Sequence, residues 1–322
     1  MRTRFTELLD CRVPIQLAGM GWVSGPELAT AVAGAGGAGT VAPHLLPPPA
    51  LDAVLDELGP GVVGLNVLVP FLDIDAVEMA AARLRYVEFF YGDPDPVLVA
   101  RVHAHGALAG WQVGSAEEAV AAERAGCDFL IAQGVEAGGH VRGTTALLPL
   151  LSAVLDSVRV PVVAAGGIAT ARGVAAVLAA GADAARIGTR FLATPEADVH
   201  PDYQDALLVA DAEDTVLTET FSALWPRAPH RVLRSCIDAA LTVSGDTVGA
   251  VTFGAHKLPI PRRGPLAPIR ATTGEIPAMP LYAGQGVGEV NTIRPAAEVV
   301  RELADGAARL LADWGVRQGV SP

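Results

Sequence analysis

The sequence predicts an α/β fold, a (β/α)8 barrel of the TIM type carrying an inserted cap region after strand eight. Three observations point there. Eight short apolar runs alternate with helical stretches over the first two-thirds of the chain. Glycine-bearing loops follow the seventh and eighth runs, on the side of a parallel barrel where chemistry gathers. Beyond about residue 200 the alternation stops, prolines and arginines rise, and a final amphipathic helix follows. A doubly wound open sheet is the second choice. It is disfavoured because the phosphate-like glycines come late, not after the first strand.

Val13–Leu17 reads as strand one, with a helix over Gly25–Ala35. Ala38–Ala42 is strand two, and Pro47–Pro49 opens the next helix, where proline is tolerated. Val62–Asn66 is strand three. Tyr86–Phe90 is strand four, with a helix from about Pro94 to His105. Gly106–Val113 is strand five. The helix after it, Ser115–Ala125, starts with a capping box of Ser115 and Glu118. Phe129–Gln133 is strand six, Val160–Ala165 strand seven and Ala184–Gly188 strand eight. The chain then divides into a barrel over 1–200, a cap over 201–280 that covers the mouth and is partly helical around Ser235–Leu241, and a C-terminal return over 281–322 with a helix from Pro295 to Trp314. An excursion of this length over a barrel top tends to be functional.

The composition excludes several classes. In 322 residues, 51% are apolar and 18% charged, which favours a large core. A net charge of -12 and the lack of any basic run argue against a nucleic-acid binder. Cys11, Cys127 and Cys236 show no CxxC spacing, so neither zinc nor a disulfide framework is expected. No run is long and apolar enough for a membrane span, and the first residues lack the apolar core of a signal peptide, so a cytoplasmic setting is expected. HExxH and GxSxG spacings are absent, so no metal and no hydrolase elbow is expected. Gly34–Gly39 fits the GxGxxG spacing, but a helix precedes it and a strand follows. It reads as a helix C-cap and turn.

The chemistry centres on the loop after strand six, Gln133-Gly134-Val135-Glu136-Ala137-Gly138-Gly139-His140. Gly138 and Gly139 let backbone approach a ligand closely. His140 suits proton transfer near neutral pH, as a base with a pKa near 7. Ala165, Gly166 and Gly167 after strand seven, with Gly188 and Thr189 after strand eight, read as a phosphate cradle of backbone N–H groups plus one hydroxyl. Ala18, Gly19 and Met20 after strand one let a ring system lie against the backbone. Asn66, Gln112 and Gln133 bring side-chain amides to a heterocycle edge. Met20, Phe90, Trp111 and Trp225 are candidate pocket walls. Glu88 and Glu136 lie near the mouth but are too isolated for a paired-carboxylate mechanism. His200 and His230 fall near the cap with their roles open; His103 and His105 are assigned none.

Together these motifs resemble the nitronate monooxygenase family, formerly the 2-nitropropane dioxygenases. The resemblance rests on Gln133–His140, Ala164–Ile168 and Gly188–Leu192, and resumes at Tyr282–Gly286. It implies FMN at the mouth with its phosphate in the glycine loops, Gln285 among the cofactor-binding residues, His140 as catalytic base, and oxidation of alkyl nitronates or nitroalkanes with O2. One segment departs from the pattern. Many nitronate-oxidising relatives read Ser-Phe-His-Phe-Gly where this chain has Glu88-Phe89-Phe90-Tyr91-Gly92. The same motifs occur in flavin enoyl-acyl-carrier-protein reductases and NADH:quinone reductases. The alternative is therefore an NAD(P)H-dependent flavin reductase of an enoyl thioester or quinone, and a further alternative is a non-catalytic barrel that binds a phosphate ligand. The expected partners are a small-molecule substrate and O2, and a homodimer is compatible with them.

Overall fold

Eight parallel strands pair in chain order and close on themselves. They are strand one Ile15–Leu17, two Ala38–Val41, three Val62–Leu68, four Tyr86–Phe90, five Leu108–Val113, six Phe129–Gln133, seven Val162–Ala165 and eight Ala184–Ile187. Strand one meets strand eight with Gln16 opposite Arg186, which shuts the barrel. The runs are almost continuously apolar because helices cover the outer face and side chains fill the inner one. Strands one and seven start two residues later than expected. Pro14 and Pro161 carry no N–H for the ladder, so pairing begins just after them. The computed structural model describes residues 1–44, 46–253 and 256–317. Residues 254–255 of the expected cap and 318–322 of the expected return lie outside the described residues.

The helix after strand four starts at Pro96, because Asp95 is its N-cap and accepts the Val97 N–H at 2.8 Å. The helix after strand five spans Ala116–Arg124. Ser115 caps it by accepting the Glu118 N–H at 3.1 Å. The expected capping box is only half formed. The Glu118 carboxylate accepts instead from the Gly114 N–H at 2.7 Å and the Arg142 guanidinium at 2.6 Å. An ion pair with a guanidinium outcompetes a bond to a single backbone N–H. Arg142, which also reaches Asp93, thereby ties down the loop that carries His140.

The N-terminal end of the barrel is plugged. A short helix, Arg4–Leu9, which has too few residues to show a period in the sequence, buries Phe5 and Leu9 there. The Phe129 ring meets Phe5 edge-on at 5.7 Å and Tyr86 at 5.6 Å. Gly64 and Gly110 leave the space these rings occupy, since a Cβ at either would overlap Tyr86 or Phe129.

After strand eight, a four-residue helix Thr189–Leu192 leads into a long excursion. It holds the helices Pro201–Leu208 and Arg234–Thr242 and two antiparallel sheets. The first sheet joins Thr215–Thr218 and His230–Leu233 to Gly139–His140, with His230 opposite His140. The second joins Thr247–Phe253, His256–Pro261 and Thr272–Gly274. The excursion is held at a narrow neck: the Arg294 N–H donates to the Ala193 carbonyl at 3.2 Å, and Glu196 accepts the Ala296 N–H at 3.0 Å. Helix Ala296–Arg317 then packs on the helices Pro26–Gly34 and Ala171–Ala179, completing the outer ring. Among the described residues, no helix is long and apolar enough to cross a membrane.

Candidate active site

The floor of the site is an ion pair inside the barrel. Glu88 on strand four, 1% exposed, receives two bonds from Arg186 on strand eight, each 2.6 Å. Gln16 and Asn66 each donate to the same carboxylate at 2.9 Å. Four donors therefore satisfy a charge that would be very costly alone. The pair also sets the Asn66 amide: its NH2 faces Glu88, leaving its carbonyl oxygen beside Gly19. A Cβ on Gly19 would come within 2.5 Å of Asn66, so only glycine admits this approach.

Above the floor lies a cavity of about 290 Å³. Ala18, Gly19, Met20, Asn66, Gln112, Gln133, Gly138, Gly139, His140, Ala165, Gly166, Gly167, Gly188 and Thr189 all border it. Gly166 and Gly167 have φ of 118° and 67°, which turns the chain after strand seven as L side chains rarely allow. Their amides make no backbone hydrogen bond among the described residues. Thr189 accepts the Gly284 N–H at 3.0 Å, so its own proton remains available to a ligand. Two buried polar atoms facing this region, Gln133 Oε1 and His140 Nε2, have no hydrogen-bond partner. Gln133 uses its amide nitrogen on the His140 carbonyl at 3.0 Å. Buried groups left unpaired beside a cavity are what a polar ligand completes.

Two expected residues lie elsewhere. Gln285 is exposed, and its N–H is taken by the Glu136 carbonyl; its neighbours Gly284 and Gly286 reach the cavity instead. Trp111 is fully buried in the core, its ring tilted against Phe89 at 4.9 Å with its N–H on the Gly92 carbonyl. The other three candidate walls, Met20, Phe90 and Trp225, border the cavity. Glu136 is structural, accepting the Leu147 N–H at the start of the helix Leu147–Ser157. His200 caps the helix Pro201–Leu208 by accepting the Asp202 N–H. His230 is neutral and fully used: its Nδ1–H donates to the Ala228 carbonyl at 2.8 Å and its Nε2 accepts the Phe221 N–H at 3.2 Å. His44, after strand two, also borders the cavity and was not singled out in the sequence.

His140 differs from the expected base. No carboxylate stands against it among the described residues. Burial, with His230 and His44 nearby, pushes its pKa down to about 3 instead of near 7. Burial likewise pushes His44 down to about 4. The ring in this pocket is a neutral imidazole.

A family model for nitronate monooxygenases matches residues 63–306. The chain belongs to the nitronate monooxygenase family. It is accordingly an oxidoreductase, and its closed eight-stranded barrel is shared with solved structures. FabK from Thermotoga maritima is 30% identical, covers 98% of both chains and superposes with a TM-score of 0.79. A nitroalkane oxidase from Streptomyces ansochromogenes is 30% identical, over 97% of this chain and 100% of the other, with a TM-score of 0.77. A relative from Rhodococcus jostii is 35% identical over 78% of this chain and 71% of its own length. It is named (3aS,4S,5R,7aS)-5-hydroxy-7a-methyl-1-oxo-octahydro-1H-indene-4-carboxyl-CoA dehydrogenase.

Proposed function

We propose that this member of the family is an FMN-dependent oxidoreductase acting on an acyl thioester whose acyl body is neutral, bulky and largely apolar. One observation carries the choice of substrate. The cavity walls are apolar, with Leu68, Phe71, Phe90, Ile168, Leu224, Trp225 and Leu266 among them, and Arg186, the one guanidinium that borders it among the described residues, is committed to Glu88. A nitronate is an anion and would find no uncommitted cation there among the described residues. Phe90 adds to this, since it stands where many nitronate-oxidising relatives carry histidine. The name of the Rhodococcus relative, a dehydrogenase of a fused-ring acyl-CoA, supports the same class of substrate.

The cavity fits the cofactor. Gly19 and Asn66 offer a flat edge, Gln112 and Gln133 offer amides, and the glycine loops after strands seven and eight offer donors for a phosphate. When bound, FMN supplies hydride transfer. The chain supplies the rest. His140, neutral, donates an N–H to the thioester carbonyl oxygen and stabilises the negative charge that grows there as hydride reaches the β-carbon, a role a neutral imidazole performs well; a solvent proton taken up at the α-carbon then quenches that charge. The apolar walls exclude water and hold the acyl body, with the cap contributing Tyr203, Leu224 and Trp225. NADH or NADPH is the partner that balances the two electrons.

The test is the spectrum of the purified protein, followed by anaerobic additions. A flavin band near about 450 nm, bleached by NADH or NADPH and restored by an enoyl-CoA, is the expected result. The nitroalkane oxidase likeness favours a second reading, nitronate oxidation with O2. Bleaching by propyl nitronate but not by NADH or NADPH would select it. Protein that stays colourless after FMN is added would leave a phosphate-binding barrel without turnover.

A further inference from the structure

A histidine that handles charge in a reaction is usually held by a hydrogen bond from one ring nitrogen to a carboxylate or carbonyl. His140 has none, yet its ring is confined on several sides by other rings. The Trp225 indole lies face to face with it, centroids 4.1 Å apart and planes 27° from parallel. Tyr91 meets it edge-on at 5.9 Å, Tyr282 lies at 5.7 Å and His230 at 5.3 Å. Trp225 is itself fixed by the edges of Tyr91 at 4.6 Å and Phe71 at 5.1 Å. Tyr91 holds a left-handed backbone, φ 65°, immediately after strand four. For a bulky residue that conformation is strained, and strain of this kind persists where surrounding contacts over-determine it.

We propose that Trp225, a residue of the cap, is the positioning residue for His140: its indole face, braced by Tyr91 and Phe71, fixes the plane of the imidazole in place of a carboxylate. The proposal rests on the role given to His140 above. The stacked face sets the direction of the imidazole N–H toward the substrate carbonyl and keeps water off the ring. The titratable groups facing His140 are His44 after strand two, Tyr91 after strand four, His230 on the cap strand and Tyr282 on the return. Both nitrogens of His230 are used by backbone groups, so it cannot exchange a proton with His140 without breaking them.

The test is histidine C–H NMR titration of the purified protein, with the His140 signal assigned by His140→Gln. Between about pH 5 and 8 the wild-type signal should not titrate. In Trp225→Met, which keeps apolar volume but removes the aromatic face, the signal should titrate within that window, its midpoint raised from about 3 to above about 5, toward the ordinary 6.5. Trp225→Phe should restore wild-type behaviour. In turnover, Trp225→Met should lower kcat on the order of tenfold with little change in KM, as misorientation does. Tyr91→Leu should act in the same direction more weakly, and serves if Trp225→Met is too unstable to titrate. A folded Trp225→Met or Tyr91→Leu protein with an unmoved His140 signal overturns the proposal. The titration needs no substrate, so failure of the thioester reading would leave this result intact.

Discussion

The two ends of the barrel are built from the same strands on opposite rules. At the N-terminal end no buried side-chain polar atom is left unpaired among the described residues. Tyr86 donates to the Gly39 carbonyl at 2.7 Å and receives Thr40, while Phe5, Leu9 and Phe129 fill the remaining space. At the C-terminal end glycines replace side chains, Gln133 and His140 keep unpaired polar atoms, and the walls are rings and loops. The Glu88–Arg186 pair is the boundary between the two. One end of the barrel holds the fold together, and the other withholds packing so that a ligand can complete it.

Substitutions should separate the two ends, and the largest effect belongs to the boundary. Glu88→Leu leaves Arg186 buried and unpaired and should cost about 3–5 kcal/mol in urea unfolding. The double variant Glu88→Leu/Arg186→Met should recover most of that loss. If the single variant were as stable as wild type, the pair would not be the buried unit described. Next, Phe5→Ala at the plug should cost about 3 kcal/mol while leaving KM unchanged; a change in KM would mean the ends are coupled. His140→Ala should do the reverse, lowering turnover about 10²-fold, roughly 2.7 kcal/mol, with little change in melting temperature. Gly286→Ala would put a Cβ within 2.6 Å of the Gly167 carbonyl. It should weaken FMN binding about tenfold, or 1.4 kcal/mol, read by fluorescence titration of free FMN.

A final effect concerns pH. The folded-state pKa values of His140 and His44 lie below their unfolded ones, so the unfolded chain binds more protons between about 6.5 and 3. Their contribution to stability is complete above pH 6.5 and declines as the pH falls through that window. Urea midpoints at neutral and mildly acidic pH should show the decline, and His140→Gln should make it shallower. An unchanged slope in that variant would mean His140 is not buried as a neutral ring.

Much of this was legible in the sequence because parallel strands and their helices write local, repeated patterns. The glycine loops and His140 belong to those patterns, and the cavity gathers them. What escaped detection depends on distance along the chain. Glu88 and Arg186 are 98 residues apart, although a charge inside each of two buried apolar runs signals that a partner must exist. The sheets of the excursion are short, and His140 finds its strand partner at His230, far downstream. Trp111 and Trp225 look alike in sequence; only the fold puts one in the core and the other on the imidazole. Gln285 sits between two glycines that do face the cavity, and the geometry of that short turn decides which of the three residues points outward.

The neck between Ala193 and Arg294 has a last implication. Because the whole excursion hangs from adjoining ends, the distance that any substitute segment must span is already fixed by the barrel. A segment exchanged there would leave the strands and the ring of helices in place, but it would have to supply anew the pairing with Gly139–His140 and the glycines, Gly284 and Gly286, that reach the cavity.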